Sequence, residues 1–135
     1  MSDMFFINLP VENLQDTMSF FTGLGFGYDM RLTDDQTAAL IINEHATVML
    51  LQKSFFRSFT TKEIADSTIH AEVILSLSAD SREEVDAFLD RAMALGARPS
   101  IPVVEMEGMY SRSFQDIDGH LWEVGYMSFP PDAPG

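Results

Sequence analysis

The sequence contains no cysteine among its 135 residues. Disulfide bonds, thiolate metal ligands and a cysteine nucleophile are therefore excluded. A chain without disulfides is typical of a reducing compartment, so we expect a cytoplasmic location. The sequence also lacks a Gly-rich nucleotide-binding loop and an activated-serine motif, which leaves the common nucleotide-dependent and serine-dependent chemistries without a candidate.

Basic residues are scarce, with eight Lys and Arg against 21 Asp and Glu and a net charge of −13. Nucleic-acid binding needs a basic surface, so we expect no nucleic-acid partner. The negative charge would suit a cationic ligand, although it serves solubility equally well. No apolar run approaches the roughly 18 residues that span a bilayer, and the N-terminus lacks the basic region of a signal peptide. We therefore expect no membrane association.

The residues that are present suit one globular domain spanning 1–135. Hydrophobic residues make up 46% of the chain, and a chain of this length can bury about two-thirds of its unfolded surface. One pattern of apolar runs occurs twice, which divides the chain into a first module at 4–52, a linker at 53–70, a second module at 71–128 and a frayed tail at 129–135.

The first module begins with an extended apolar run at 5–10. Asn13 is a candidate helix cap with Asp16 three residues later, and Leu14, Met18 and Phe21 share one helical face. Further strands are predicted at 26–32, 37–42 and 47–52. In the linker, three phenylalanines indicate a short packed helical turn, and a second turn is predicted at 60–64.

The second module repeats this order. A strand is predicted at 72–78, and Ser81 caps a helix with Glu84 three residues later. The helix ends at Gly96, and strands follow at 100–104, 109–115 and 121–126. The predicted fold class is α+β, with two tandem βαβββ modules that form a curved mixed sheet with helices outside and a concave cavity inside.

Alternation along each strand predicts which side chains face the cavity. In the first module these are Phe6 and Asn8 of the first strand and Met49 of the fourth. In the seventh strand a guanidinium is poorly tolerated beneath a helix, so Tyr110, Arg112 and Phe114 are predicted to face the cavity and bind the ligand. Arg112 could bind a carboxylate bidentately, or pair with Glu72 or Glu123.

Glu123 lies in the middle of the last strand, where Trp122, Val124 and Tyr126 are predicted to face the helix. Because a bare buried carboxylate costs several kcal/mol, Glu123 is either solvated or committed to a partner. It is the candidate general base, with Glu72 as the other cavity carboxylate. The histidines are weaker candidates. His120 follows the glycine of a predicted turn, and His45 lies within another predicted hairpin turn. His70 would reach the site only if the strand register shifted by two residues.

The sequence resembles the vicinal oxygen chelate superfamily, which includes glyoxalase I, bleomycin resistance proteins and extradiol dioxygenases, and it is most similar to small bacterial lactoylglutathione lyase-like proteins. The resemblance covers nearly the whole chain. It rests on the repeated βαβββ order, on the motif Asp-x-Asp-Gly-x-x-x-Glu at 116–123, and on the segments Phe6–Val11, Val48–Leu51, Glu72–Asp86 and Arg112–Val124.

The resemblance implies a divalent metal held by His and Glu side chains from the first, fourth, fifth and eighth strands. These positions fall on Phe6, Met49, Glu72 and Glu123. Only the two glutamates are hard metal ligands, which suits a weakly bound divalent metal at most. We therefore expect no tightly bound cofactor.

Three functions follow as alternatives. The first is a protein that binds a small aromatic or cationic molecule in an acidic cavity lined by Phe and Met. The second is a metal-dependent lyase or dioxygenase acting on a vicinal-oxygen substrate, as the resemblance implies. The third is a metal-free enzyme with Glu123 as base. In each case we expect a homodimer as the assembly.

Overall fold

A computed structural model of the chain describes residues 1–128, so the predicted tail at 129–135 lies outside the described residues. The chain divides into two compact units between residues 66 and 67, a boundary that falls inside the predicted linker. Helices and strands are present in both units, which confirms the α+β class. The backbone hydrogen bonds form two sheets, one in each unit.

The first unit contains a three-stranded sheet. Its elements are β1 (Phe5–Val11), α1 (Leu14–Gly23), a 3₁₀ turn (Met30–Leu32), β2 (Thr37–Ile41), β3 (Ala46–Gln52), α2 (Lys53–Phe56) and a second 3₁₀ turn (Arg57–Phe59). The strand order is β1-β3-β2. β3 lies parallel to β1 and antiparallel to β2, so helix α1 falls within the crossover between the parallel strands.

Helix α1 begins where the sequence predicts. The side chain of Asn13 accepts a hydrogen bond from the backbone N–H of Asp16 at 3.0 Å, which satisfies one of the free donors of the first turn. Leu14, Phe20 and Phe21 are buried. The helix packs against the sheet face that carries the buried side chains of the central strand, and this is where the core of the first unit lies.

The strand predicted at 26–32 is wrong. Tyr28 makes only an isolated bridge to Leu40, and a 3₁₀ turn follows. The physical reason is Asp29, whose carboxylate accepts from the backbone N–H of Arg31 at 3.1 Å. Local bonds of this kind compete with a strand ladder.

The second unit contains a five-stranded sheet and one long helix. Its elements are β4 (Ile74–Ser78), α3 (Arg82–Ala94), β5 (Arg98–Pro99), β6 (Val104–Met106), β7 (Met109–Gln115) and β8 (Leu121–Met127). The order is β4-β8-β7-β5, and β6 also pairs with β7. Ser81 caps α3 by accepting from the backbone N–H of Glu84 at 3.1 Å, as predicted, and Val85 and Leu89 are buried.

Two boundaries differ from the prediction in the second unit. β4 begins at Ile74 rather than 72, and the strand predicted at 100–104 is replaced by two short strands on either side of 100–103. Pro99 and Pro102 have no N–H to offer a ladder, and the N–H of Ile101 donates instead to the side chain of Ser113.

The linker forms the short helical turns predicted at the phenylalanines, but the turn predicted at 60–64 is absent from the described chain. No helix among residues 1–128 is long and apolar enough to cross a membrane.

Candidate functional site

The first unit contains a cavity of about 520 Å³. Its sheet wall comes from the face opposite α1, because Asn8, Met49 and Leu51 alternate with the helix-facing Leu9 and Leu50, which are buried. The remaining wall comes from the first 3₁₀ turn (Met30–Leu32) and from the linker. The lining residues are Asn8, Leu32, Thr37, Met49, Leu51, Phe55, Phe56, Phe59 and Thr60.

The strand register places the sheet side chains of the cavity. Asn8 lies beside Met49, and Thr37 lies beside Leu51, so a polar group stands on each outer strand and two apolar groups stand on the central one. The two outer strands are separated by two strand spacings, about 9.5 Å. The sheet therefore provides an apolar strip with a polar group on either side.

The linker phenylalanines contribute most of the aromatic wall. The chain passes directly from β3 into α2, so Phe55 and Phe56 stand one helical turn beyond the sheet residues that share the cavity. The rings of Phe55 and Phe59 meet edge to face, with centroids 5.1 Å apart, a favourable geometry for an aromatic pair. The sequence predicts the packed turn, but the contribution of this turn to a binding site was not predicted.

The cavity wall bears no charge. Among the described residues, none of the carboxylates and none of the cationic side chains lines it. Arg31 adjoins a lining residue in sequence but pairs with Asp29 at 2.8 Å, and Lys53 pairs with Glu12 at 2.8 Å. The acidic cavity predicted from the sequence rested on Glu72 and Glu123, which belong to the second unit, so that expectation stays a prediction and does not describe this cavity.

The residues predicted for this cavity separate into two groups. Asn8 and Met49 line it. Phe6 has the same strand parity as Asn8 and is 44% exposed, but it does not contribute to the wall. Thr37 and Leu32 were missed, since neither an isolated threonine nor a leucine in a turn carries a sequence signal for binding.

The predicted orientation of Tyr110, Arg112 and Phe114 is wrong, because all three face helix α3. Arg112 pairs with Val124 in the register, which puts it on the helix side, and its guanidinium lies 3.1 Å from Asp86 of α3. The hydroxyl of Tyr110 donates to the same carboxylate at 2.6 Å. The helix surface supplies the counter-charge that makes a guanidinium tolerable there.

Phe114 is fully buried rather than available to a ligand. Its ring lies 6.1 Å from that of Phe88 on α3 and stacks on Trp122 with the ring planes 6° apart. Trp122 and Val124 are buried beside it, so the helix-facing parity predicted for the last strand is confirmed.

Glu123 lies on the other face of the second sheet, as predicted. It is partly exposed and accepts a hydrogen bond from the hydroxyl of Ser76 on the adjacent strand at 2.6 Å. Glu72 is exposed and precedes β4, and His70 is exposed further upstream. The carboxylate of Glu123 is therefore held by a neighbouring hydroxyl, whereas Arg112 pairs with Asp86.

The residues do not fit the divalent metal that the resemblance implies. Two of the four positions carry Phe6 and Met49, which offer no oxygen or nitrogen ligand. Among residues 1–128, no group of three or more His, Asp and Glu side chains could hold a metal ion.

A buried carboxylate in the second unit was not predicted from the sequence. Asp116 is 2% exposed. It accepts hydrogen bonds from the backbone N–H groups of Asp118 and His120 and from the indole N–H of Trp122 at 2.9 Å. Burial raises the pKa of the Asp116 carboxyl, while His120 and the indole donor of Trp122 act in the opposite direction and lower this pKa. This group holds the β7–β8 turn against the core and has a structural function.

The chain is similar to known proteins both in sequence and in structure. Residues 4–124 match the profile of the Glyoxalase/Bleomycin resistance protein/Dioxygenase superfamily. Curated proteins include no significant match. Among solved structures, a hypothetical protein of Staphylococcus aureus is 26% identical, with a TM-score of 0.80 over 93% of this chain and 95% of that one.

Two further solved structures share the fold at lower identity. A glyoxalase-related enzyme of Fulvimarina pelagi is 16% identical, with a TM-score of 0.80 over 99% of this chain and 96% of that one. A fosfomycin resistance protein of Listeria monocytogenes is 20% identical, with a TM-score of 0.68 over 96% and 94% of the two chains.

Proposed function

This chain belongs to the glyoxalase/bleomycin resistance protein/dioxygenase superfamily, and we propose that it is a binding protein for a small, mainly apolar molecule held in the cavity of its first unit. The observation that carries the proposal is the cavity itself, about 520 Å³ in volume and lined by Phe, Met and Leu side chains with a few polar groups. Apolar walls with few polar groups are typical of small-molecule sites.

The wall supports an aromatic ligand in particular. Phe55, Phe56 and Phe59 offer ring faces and edges to a flat molecule. Met49 is flexible and adapts to the shape of its neighbour. Asn8 supplies a side-chain amide at the border of the apolar strip, where it can orient a ligand by one hydrogen bond. A cation has no carboxylate on this wall to pair with, so the aromatic part of our expectation is retained and the cationic part is not.

A neutral fluorescent probe tests the proposal. N-phenyl-1-naphthylamine emits strongly in apolar sites, and its titration into the purified protein should show saturable binding. Phe56→Ala removes one ring from the wall and should weaken binding about tenfold, the loss expected for roughly 50 Å² of apolar contact. Phe5→Ala is the matched control, because Phe5 is 62% exposed and does not line the cavity.

The outcomes distinguish the proposal from nonspecific adsorption. Equal weakening by both variants would mean that the probe binds the exposed surface, and the absence of saturable binding would refute the proposal. Of the enzymatic alternatives, the metal-free enzyme keeps one supporting observation, which is the hydrogen bond from Ser76 that holds the Glu123 carboxylate in place. A homodimer and a cytoplasmic location remain parts of the proposal.

A further inference from the structure

Thr37 lines the cavity, and its side-chain hydroxyl is buried at the edge of the wall. Its Oγ1 is closed off from solvent and, among the described residues, has no hydrogen-bond partner. Thr37 itself is only partly buried and lines the cavity. A buried hydroxyl without a hydrogen bond is destabilising, and native proteins rarely keep one without a reason.

The backbone at Thr37 is held firmly, so the unpaired hydroxyl does not result from a loose loop. The N–H of Thr37 donates to the carboxylate of Asp34 at 3.1 Å, and the N–H of Asp34 donates to the carbonyl of Thr37 at 2.8 Å. Rotation by about 120° about χ1 moves the hydroxyl of a threonine to another staggered position. The backbone of Thr37 is thus held in place, and a change of χ1 is the movement that would bring the hydroxyl to a partner in the cavity.

The other residues of the cavity wall limit the chemical class of the ligand that could bind the Thr37 hydroxyl. The cavity is otherwise apolar on this side, since Thr37 stands beside Leu51 in the sheet, and no charged side chain of residues 1–128 lines it. An anionic ligand would meet no cation on the wall, and a cationic one would meet no carboxylate. Either charge would lose its hydration without compensation.

We propose that the ligand is an uncharged aromatic molecule that carries a hydroxyl or carbonyl group, and that Thr37 selects it through a hydrogen bond to that group. This inference rests on the proposed binding function. It adds the chemical class of the ligand and names the residue that recognises the ligand's polar group. The hydroxyl both donates and accepts, so it serves either group. In the bound protein the Thr37 hydroxyl then has a hydrogen-bond partner, which it lacks among the described residues of the free protein.

The experiment is a cycle of two probes and two proteins. Naphthalene and 2-naphthol differ by one hydroxyl, and wild type and Thr37→Val differ by one hydroxyl in a side chain of the same shape. Affinities are measured by displacement of N-phenyl-1-naphthylamine. Thr37→Val should weaken 2-naphthol about threefold to tenfold more than it weakens naphthalene, the range for one neutral hydrogen bond. Hydration of the probe cancels in this comparison.

Two further measurements use the same proteins. Without ligand, Thr37→Val should melt a few degrees higher than wild type, because the unpaired hydroxyl is gone. Thr47→Val is the matched control: it makes the same substitution in β3, outside the cavity wall, and should leave the affinities of both probes unchanged. Charged analogues, 2-naphthoate and 2-naphthylmethylammonium, should bind at least tenfold more weakly than 2-naphthol.

The proposal and the underlying function fail in different ways. If naphthalene and 2-naphthol both bind and Thr37→Val affects them equally, the selection by Thr37 is wrong and the binding function stands. If 2-naphthoate or 2-naphthylmethylammonium binds as well as 2-naphthol, the uncharged ligand class is wrong. If the dye binds saturably but neither neutral probe displaces it, the ligand class is wrong and the binding function stands. If the dye itself shows no saturable binding, the proposed function is refuted and this inference with it.

Discussion

Replacement of Trp122 by alanine is the most severe single change that the structure identifies. Trp122 is 1% exposed, it stacks on Phe114 with ring centroids 6.4 Å apart, and its indole N–H donates to the buried carboxylate of Asp116 at 2.9 Å. Truncation of a buried aromatic residue costs about 3–5 kcal/mol. A buried acceptor that loses its donor adds about 1–3 kcal/mol.

The sum for Trp122→Ala is therefore about 4–8 kcal/mol, against a total stability of about 5–15 kcal/mol for a typical domain. We expect Trp122→Ala to unfold or nearly unfold the second unit. Trp122→Phe separates the two contributions, because it keeps a ring against Phe114 and removes the donor to Asp116. Its loss should be smaller, at roughly 1–3 kcal/mol.

The assay is urea unfolding followed by far-UV circular dichroism, since both variants lose the only tryptophan. Phe5→Ala is the control, because Phe5 is 62% exposed and a surface substitution changes stability by about 0.5 kcal/mol or less. A Trp122→Phe protein as stable as wild type would show that Asp116 does not need the indole donor. A Trp122→Ala protein that unfolds at the wild-type midpoint would refute the burial argument altogether.

Four other predictions follow from particular groups. Glu123→Gln should leave the melting temperature within a few degrees of wild type, because glutamine still accepts from Ser76; a drop of many degrees would show that the charge itself is structural. The pKa of Asp86 is lowered, first by the hydroxyl of Tyr110 and then by Arg112, so its stabilisation is present above the ordinary aspartate pKa of about 3.9 and is lost as the pH falls below it. The stability advantage of wild type over Asp86→Asn, measured by urea unfolding, should shrink at low pH, and an advantage that does not change from pH 7 to 3 would contradict this. Elemental analysis of protein purified without chelators should find less than stoichiometric Zn²⁺ or Ni²⁺, and a full equivalent retained through dialysis would overturn the argument from Phe6 and Met49. Sedimentation equilibrium at micromolar concentration should give twice the chain mass of 15.1 kDa, since the edge strand β4 leaves Ile74 59% exposed; a single species at the chain mass would refute the dimer.

Local signals predicted the elements that local interactions stabilise. Asn13 and Ser81 cap their helices as predicted, because a cap is one side chain bonded to a backbone N–H three residues away. The strands predicted at 109–115 and 121–126 are present as β7 and β8. They were predictable because a tight turn with Gly119 at positive φ joins two alternating runs. The run at 26–32 failed because the side chain of Asp29 favoured a local turn over strand pairing.

The candidate site was harder to predict, because it depends on which face of a strand meets a helix. For Asn8 and Met49 the apolar alternation was clear, and both line the cavity. For Arg112 the predicted orientation was wrong, because a guanidinium is tolerated beneath a helix when a carboxylate lies opposite, and Asp86 lies at 3.1 Å. The partner that stabilises a charge comes from another element, 26 residues away in sequence.

From the residues alone came the α+β class and the two helix caps, which depend on residue identity and short-range spacing. The family came from a resemblance, which the match over residues 4–124 confirms. The folded chain alone revealed the linker phenylalanines on the cavity wall and a buried Thr37 hydroxyl without a hydrogen-bond partner among residues 1–128. The physical reason is that hydrogen bonding and burial depend on neighbours from distant parts of the chain, and those neighbours exist only once the strands are in register.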